Sequence, residues 1–292
     1  MTDSPDRVVW LNGSFVAEAD ARISPLDRGF LYGDGLFETL RAQNGNVLYV
    51  ADHLERLRKA SGQLRLTPEN AFPSLRDISR WRDLLENLLK KNGLTAGPAR
   101  LRIQITRGRA MDLGLPTPAS PTLLAMAAPY HPPTRRECES GWRLHLVKSP
   151  FTSALAAFKT CNYLLYLQAR QMARDTGFHE ALLTDPNGTL AETSTGSLIF
   201  LNEGVCTLSA SPFRLPGTAE ERIARMFSKD GWQVTRAAVT PGDLSSYEAL
   251  WTTNSLMGVL PVRSVDDVAL PRMFRRRADQ YREHFFQAGT RL

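Results

Sequence analysis

Lys159 is the residue of this sequence best suited to covalent chemistry. It lies in residues 158–163 (FKTCNY), between an apolar stretch and a predicted helix. Burial favours the neutral form of an amine, and a neutral lysine attacks carbonyl groups to form a Schiff base. The alternative is an ordinary solvated lysine, whose ammonium group stays in water. The local sequence leaves both interpretations open.

Glu192 has the position of an acid that could control the charge of a bound ring. It lies in residues 190–197 (LAETSTGS), directly before an apolar strand. A carboxylate beside the nitrogen of a pyridine ring keeps that nitrogen protonated, and the protonated ring then acts as an electron sink. The alternative is a helix cap or an acid in a turn.

Two further segments have the composition of a phosphate site. Residues 215–222 (LPGTAEER) open a predicted helix whose first backbone amides attract an anion, and Gly217 lets the backbone approach that anion closely. Residues 252–258 (TTNSLMG) follow an apolar strand and offer hydroxyl and amide donors to a second face of a phosphate. A plain capping role is the alternative for the first segment.

Strands and helices in two blocks must position these residues. In the first block, the patterns predict hairpins over 8–16 and 37–49, helices over 53–66 and 74–92, and strands over 100–107 and 121–128. In the second block, they predict helices over 163–176, 218–229 and 271–286, and strands over 142–148, 180–184, 197–201, 205–208, 233–239 and 249–253. Adjacent prolines in a polar stretch indicate an inter-domain linker. We therefore predict an α+β fold with a smaller N-terminal domain (1–128), a linker (129–136) and a larger C-terminal domain (137–292) that carries Lys159.

The composition narrows the classes of protein and partner. The 292 residues include 36 basic and 30 acidic side chains, a formal charge of +6, and the basic residues are scattered except at 275–277. They are not interleaved with aromatic residues as in single-strand binders, so we expect no nucleic-acid partner. The three cysteines lack paired spacing, which argues against disulfides and a metal site. Because we find neither a signal-peptide pattern nor an apolar run of about 20 residues, we expect a cytoplasmic protein without a membrane segment.

Taken in this order, the segments resemble the class IV aminotransferases, which are the fold type IV pyridoxal-phosphate enzymes. The resemblance runs from about residue 10 to residue 262, and it includes residues 27–39 (DRGFLYGDGLFET) and 53–57 (HLERL). It implies a two-domain α+β architecture like that of D-amino-acid aminotransferase, with pyridoxal 5′-phosphate as cofactor. It also implies a homodimer that acts on a small amine or amino acid with one or more carboxylates.

The resemblance assigns a role to each matching residue. Lys159 matches the catalytic lysine that forms the Schiff base, Glu192 the acid that pairs with the pyridine nitrogen, and Arg56 the arginine that binds the phosphate. The implied cofactor-binding set is Arg56, Lys159, Tyr163, Glu192, Gly217, Thr218, Ala219 and Ser255. The implied substrate contacts are Tyr32, Phe37 and the backbone amide of Leu256. One departure is Ser197, which stands where many members have asparagine.

The family contains enzymes of two reaction types, aminotransferases and 4-amino-4-deoxychorismate lyase. The spacing Lys-x-x-Asn-Tyr from Lys159 is one residue shorter than the branched-chain pattern and resembles the lyase and D-amino-acid branches. Residues 252–262 (TTNSLMGVLPV) also resemble lyase members. Arg100 and Arg102, on the polar face of a predicted strand, and Arg107 in the following loop could bind two substrate carboxylates; the alternative is a solvated strand face.

We therefore predict a 4-amino-4-deoxychorismate lyase, which eliminates pyruvate and produces 4-aminobenzoate. The first alternative is an aminotransferase that acts on D-amino acids, branched-chain amino acids or (R)-amines with a 2-oxo acid as acceptor. A remote alternative is a binding protein without catalytic activity on the same scaffold, because a fold alone does not establish an activity.

Overall fold

The computed structural model describes residues 7–66, 75–118, 120–147, 153–271 and 273–289. The chain divides into two compact units, of which the first comprises residues 1–132, 159–162 and 289–292, and the second comprises 133–158 and 163–288. The division after residue 132 lies within the predicted linker. The sequence assigned Lys159 to the C-terminal domain, whereas the structure groups it with the first unit, because its backbone pairs with a strand of that unit.

Within the described residues, the first unit contains one antiparallel sheet and three α-helices. Its strands are β1 (Val8–Leu11), β2 (Ser14–Ala17), β3 (Gly35–Gln43), β4 (Asn46–Val47), β5 (Pro98–Thr106) and β6 (Thr122–Pro129), and its helices are α1 (Arg28–Tyr32), α2 (Val50–Gln63) and α3 (Ile78–Lys91). The six strands follow the order β2-β1-β6-β5-β3-β4. Both predicted hairpins are confirmed, with their turns at Asn12-Gly13 and Asn44-Gly45.

The alternation of apolar and polar residues in β5 explains the two faces of this sheet. Leu101, Ile103 and Ile105 are fully buried, whereas Arg100 is exposed and Arg102 is half-buried. Helices α2 and α3 pack on the sheet and bury their own leucines. Helix α3 begins at residue 78 because Asp77 caps it, accepting a hydrogen bond from the amide of Arg80 at 3.1 Å. The predicted start at 74 lies outside the described residues.

In the part of the second unit that the structure describes, there are one mixed sheet and four α-helices. Its helices are α4 (Arg135–Ser140), α5 (Leu164–Asp175), α6 (Thr218–Lys229) and α7 (Arg275–Gly289). Its strands are β7 (Trp142–Val147), β8 (Glu180–Thr184), β9 (Leu190–Thr193), β10 (Ser197–Asn202), β11 (Val205–Ser209), β12 (Gln233–Ala237), β13 (Ala249–Asn254), β14 (Gly258–Val265) and β15 (Val268–Ala269). They follow the order β12-β11-β10-β13-β14-β7-β8-β9, with β15 beside β14. The sequence patterns had not predicted α1, α4, β9 or β14.

Two helices of the second unit begin at the segments that the sequence singled out. Helix α5 begins at Leu164 and buries Ala169 and Ala173 against β8. Helix α6 begins at Thr218, directly after Gly217, and packs on β12 and β13. None of the helices described for this chain combines the length and the apolar character that crossing a bilayer requires.

Candidate active site

In the first unit, Lys159 is held at the beginning of β3. The amide of Phe37 donates to the carbonyl of Lys159 at 2.8 Å, and the amide of Cys161 donates to the carbonyl of Gly35 at 2.9 Å. Lys159 is half-buried, and its Nζ atom lies 4.6 Å from the centroid of the Phe37 ring. The amine that the sequence identified as a nucleophile therefore lies against an aromatic face.

Arg102 lies on the same aromatic ring. Its guanidinium carbon is 3.7 Å from the centroid of Phe37, and its Nε donates to Oε1 of Gln104 at 2.9 Å. Burial raises the pKa of the nearby Cys161 thiol to about 11, although the charge of Arg102 opposes that shift. The structure thus brings together three of the predicted residues: Lys159, Phe37 and Arg102.

Two other predicted substrate contacts of the first unit, Arg100 and Tyr32, are exposed. Arg100 is exposed, two positions along β5 from Arg102. Tyr32 is 55% exposed on α1, and its ring centroid lies 5.0 Å from the guanidinium carbon of Arg28.

Arg107 is fully buried, and its guanidinium joins three segments of the first unit. Its Nε and Nη2 donate to the carboxylate of Asp34 at 2.8 and 3.1 Å. The remaining hydrogen bonds go to the carbonyls of Leu64, Arg65 and Pro116. These contacts engage all five N–H donors of an arginine, so Arg107 has a structural role and no donor remains for the substrate carboxylate that we expected it to bind.

Arg56 is oriented by a buried acid, Glu38. Its Nε and Nη2 donate to the two oxygens of Glu38 at 2.7 and 2.6 Å, and Nδ1 of His53 lies 2.7 Å from the same carboxylate. Burial opposes ionisation of Glu38, but the charge and hydrogen bonds of Arg56 and His53 outweigh burial and lower its pKa to about 2. The pairing with Glu38 uses the edge of the guanidinium that carries Nε and Nη2.

In the second unit, Glu192 lies near the end of β9 and is 6% exposed. Its Oε1 accepts a hydrogen bond from the hydroxyl of Tyr166 at 2.8 Å, and its Oε2 accepts one from the amide of Leu215 at 3.1 Å. The sequence had not identified Tyr166. Its spacing of three residues from Tyr163, on one face of the first turn of α5, is a signal that could have done so.

Tyr163 also binds the segment that follows Glu192. Its hydroxyl donates to the carbonyl of Ser194 at 2.8 Å, and its ring stacks on that of Tyr166 with centroids 4.8 Å apart. The hydroxyls of Ser194 and Thr195 donate to the buried carboxylate of Glu180. Two tyrosines and a second buried acid therefore hold the end of β9 in place.

The start of α6 has the features of an anion site. The first amides of a helix have no partner within the helix, and here they follow Gly217. Thr218 Oγ1 lies 3.0 Å from Oγ of Ser255, so two hydroxyls meet beside those amides. A Cβ atom on Gly217 would lie 2.5 Å from Oγ of Ser197, so the serine that replaces the usual asparagine packs directly against this glycine. Ala219 is buried behind the turn.

The amide of Leu256 already has a partner within the chain. It donates to Oδ1 of Asn254 at 3.0 Å, and the amide of Met257 donates to the same oxygen at 2.9 Å. Asn254 thereby closes the turn between β13 and β14. The backbone donor that the resemblance assigned to a substrate carboxylate is engaged in this turn.

These residues match the donor types that pyridoxal phosphate requires. Amides, hydroxyls and an arginine suit a phosphate, and a buried carboxylate suits a pyridine nitrogen. The hydroxyls of Thr252 and Thr253 are buried without a hydrogen-bond partner in the described part of the chain. Buried hydroxyls normally form hydrogen bonds, so a bound polar group could supply the missing partners at this end of β13. Among the described residues, we find no group of three or more His, Cys, Asp or Glu side chains that could hold a metal ion.

Comparison with known proteins places this chain among proteins with related sequences and folds. The family model of amino-transferase class IV matches residues 35–265. The aminodeoxychorismate lyase of Bacillus subtilis is 28% identical over 266 residues, which cover 89% of this chain and 87% of that protein. The D-alanine aminotransferase of Staphylococcus epidermidis is 26% identical over 262 residues, 88% of this chain and 89% of that protein.

A solved structure has the same fold. The PLP-bound form of a hypothetical aminotransferase from Mycobacterium tuberculosis superposes with a TM-score of 0.80 at 22% identity, covering 97% of this chain and 99% of that one. The predicted fold class is therefore confirmed.

Proposed function

The chain belongs to the class IV aminotransferase family, and from this premise we propose that it is a pyridoxal-phosphate-dependent lyase that converts 4-amino-4-deoxychorismate into 4-aminobenzoate and pyruvate. Pyridoxal phosphate, when bound, supplies an electron sink for the carbon that carries the substrate amine. Lys159 would hold the cofactor through its side-chain amine, and the same amine would act as the base that takes the proton from that carbon. Loss of this proton and of the neighbouring enolpyruvate group leaves an aromatic ring.

The other residues hold the cofactor in our proposal. Glu192 keeps the pyridine nitrogen protonated. Arg56, Thr218, Ser255 and the first amides of α6, including that of Ala219, bind the phosphate, and Gly217 leaves space for it. Tyr163 flanks the ring. Because Glu38 fixes the guanidinium of Arg56, this donor needs little reorganisation when the phosphate binds.

The engaged amide of Leu256 is the observation that favours the lyase. Amino-acid substrates of an aminotransferase carry a carboxylate on the reacting carbon, which needs a donor in the position assigned to this amide. The reacting carbon of 4-amino-4-deoxychorismate carries no carboxylate, because both of its carboxylates are elsewhere. The bond from the Leu256 amide to Asn254 fits a substrate of the second kind. Arg102, beside Phe37, is our proposed contact for one of the distant carboxylates, and we propose exposed Arg100 and Tyr32 as further substrate contacts.

An aminotransferase is the second candidate, and the 26% identity to a D-alanine aminotransferase supports it. Within this candidate, the engaged amide favours (R)-amines, which also lack a carboxylate on the reacting carbon. We further propose a homodimer, which is the commonest form of symmetric oligomer, working in the cytoplasm.

Product analysis tests the proposal. The holoenzyme should release pyruvate and 4-aminobenzoate in equal amounts from 4-amino-4-deoxychorismate, measured by lactate dehydrogenase coupling and chromatography. Lys159→Ala should abolish both products and the visible absorption band of the cofactor. In parallel, D-amino acids, branched-chain amino acids and an (R)-amine are supplied with 2-oxoglutarate. If keto acids are exchanged and no 4-aminobenzoate forms, the protein is an aminotransferase and the proposed lyase activity is wrong. A folded protein that shows no visible band when saturated with pyridoxal phosphate would indicate a binding protein.

A further inference from the structure

The carboxylate of Glu192 is held by two neutral donors. The phenol of Tyr166 donates to Oε1 at 2.8 Å, and the backbone amide of Leu215 donates to Oε2 at 3.1 Å. A hydrogen bond to the ionised form of a carboxylate favours that form, and it does so without cancelling the negative charge as a bound cation would. The strength of each donor therefore affects how readily Glu192 accepts a proton.

The phenol of Tyr166 is fixed on the first turn of α5. Its ring stacks on Tyr163, with an angle of 27° between the planes, and the hydroxyl of Tyr163 is tied to the carbonyl of Ser194. Burial, and then the negative charge of Glu192, raise the pKa of Tyr166 far above its usual range. The phenol therefore keeps its proton and acts as the donor in this hydrogen bond.

The second donor belongs to a loop that Arg214 contacts. Arg214 donates to the carbonyls of Ser209 and Leu215 and pairs with buried Glu220 at 2.8 Å, and these contacts hold the backbone around the Leu215 amide. This donor is part of the main chain and is the same for any side chain at position 215. Of the two donors, only the phenol depends on the identity of a side chain.

We propose that Tyr166 is a positioning residue that sets the proton affinity of Glu192, and thereby the fraction of the cofactor in which the pyridine nitrogen keeps its proton. The inference rests on the proposed role of Glu192. When a pyridine nitrogen and a carboxylate share one proton, a weaker donor set on the carboxylate moves that proton towards the carboxylate. A neutral pyridine is a poorer electron sink, so proton removal by Lys159 should become slower.

Two substitutions at position 166 should act in opposite directions. In Tyr166→Phe, the nitrogen-15 signal of holoenzyme loaded with ring-labelled pyridoxal phosphate should move towards the unprotonated position, and kcat should fall about tenfold with KM within about twofold. A fluorinated tyrosine incorporated at position 166 is a stronger donor, and it should move the nitrogen signal the other way. A role in folding alone predicts no such reversal of sign. The fluorinated variant retains the hydroxyl and the shape of the ring, so it keeps the test valid if the phenylalanine variant fails to fold.

Tyr281→Phe is the matched control, because Tyr281 also donates to a carboxylate, that of Asp230, within the same unit. It should leave the nitrogen signal and kcat unchanged. A wild-type nitrogen signal in Tyr166→Phe, or equal shifts in Tyr166→Phe and Tyr281→Phe, would overturn the inference.

Glu192→Gln separates this inference from the proposed function. If Glu192→Gln moves the nitrogen signal and Tyr166→Phe does not, the role of Tyr166 alone is wrong. If neither variant moves it, the role proposed for Glu192 is wrong, and the inference is overturned with it.

Discussion

Glu38 and Glu192 are both buried glutamates, and they accept hydrogen bonds from different kinds of donor. Glu38 lies between Arg56 and His53, and this pairing lowers its pKa to about 2. Both oxygens of Glu192 accept hydrogen bonds from neutral groups, a phenol and a backbone amide. In the first arrangement, the charge of Glu38 orients the guanidinium of Arg56. The second gives the acid two hydrogen bonds from neutral donors, and in our proposal Glu192 pairs with a protonated pyridine.

The largest effect should come from removing the charge of Glu192. In Glu192→Gln we expect kcat to fall about 10³-fold, which corresponds to about 4 kcal/mol, because an amide cannot hold the proton on the pyridine nitrogen. The measurement is steady-state kinetics of the holoenzyme, together with thermal unfolding to show that the fold is retained. Glu192→Asp keeps the charge and should recover part of the activity. A wild-type kcat in Glu192→Gln would contradict the proposed role of Glu192 in keeping the pyridine nitrogen protonated.

Removal of the charge of Glu38 should act on stability instead. Glu38→Gln leaves Arg56 and buried His53 without their acid, and breaking such a pair costs about 3–5 kcal/mol of unfolding free energy. Denaturant titration measures this loss, and a spectral titration with pyridoxal phosphate should show weaker binding because Arg56 loses its fixed orientation. Glu55→Gln breaks an exposed pair with Arg58 on the same helix and should cost less than about 1 kcal/mol. Equal losses in the two variants would mean that burial does not distinguish the pairs.

Local sequence patterns single out the candidate residues for the chemistry, but they do not show which residues hold these candidates in place. Lys159, Glu192 and the start of α6 stand out through local patterns: an apolar stretch before a lysine, an acid before a strand and a glycine before a helix. The alternation in β5 correctly placed Arg102 on the polar face.

The partners of these residues are distant in the chain and have no local signature. Arg107 binds Asp34, which is 73 residues away, and Tyr166 binds Glu192, which is 26 residues away. Period and composition show which face a side chain occupies, but they do not show which group it meets across a sheet. For this reason the sequence suggested a substrate role for Arg107, whose donors are all engaged, and missed Glu38 and Tyr166.

The pH dependence of stability should report the pairing of Glu38 with Arg56 and His53. Because the pKa of Glu38 falls from its ordinary value of 4.5 to about 2 on folding, its contribution is present above about pH 4.5 and is lost as the pH falls towards 2. Burial lowers the pKa of His53 below 6.5, so the folded form resists protonation of His53 and stability declines as the pH falls below that value.

We therefore expect the free energy of unfolding to decrease continuously from pH 6.5 downwards, by on the order of 3 kcal/mol from Glu38 alone. Denaturant titrations at several pH values measure the slope. In Glu38→Gln the part of the slope below pH 4.5 should become shallower. An unchanged acid slope in Glu38→Gln would show that other carboxylates dominate acid unfolding.

We expect the smallest effect from a comparison of two arginines on β5, Arg102 and Arg100. Arg102 is half-buried against Phe37, 3.7 Å from the ring centroid, whereas Arg100 is exposed. A carboxylate binds more strongly to a partly desolvated guanidinium than to one in water. Arg102→Leu should therefore raise KM for 4-amino-4-deoxychorismate about tenfold, which corresponds to about 1.4 kcal/mol. Arg100→Leu, its matched control, should change KM less than about twofold. An amine without a carboxylate should show no difference between the two variants. If Arg102→Leu raises KM for that amine as much as for 4-amino-4-deoxychorismate, Arg102 supports the ring of Phe37 and does not bind the carboxylate. Another group must then bind the carboxylate of the substrate.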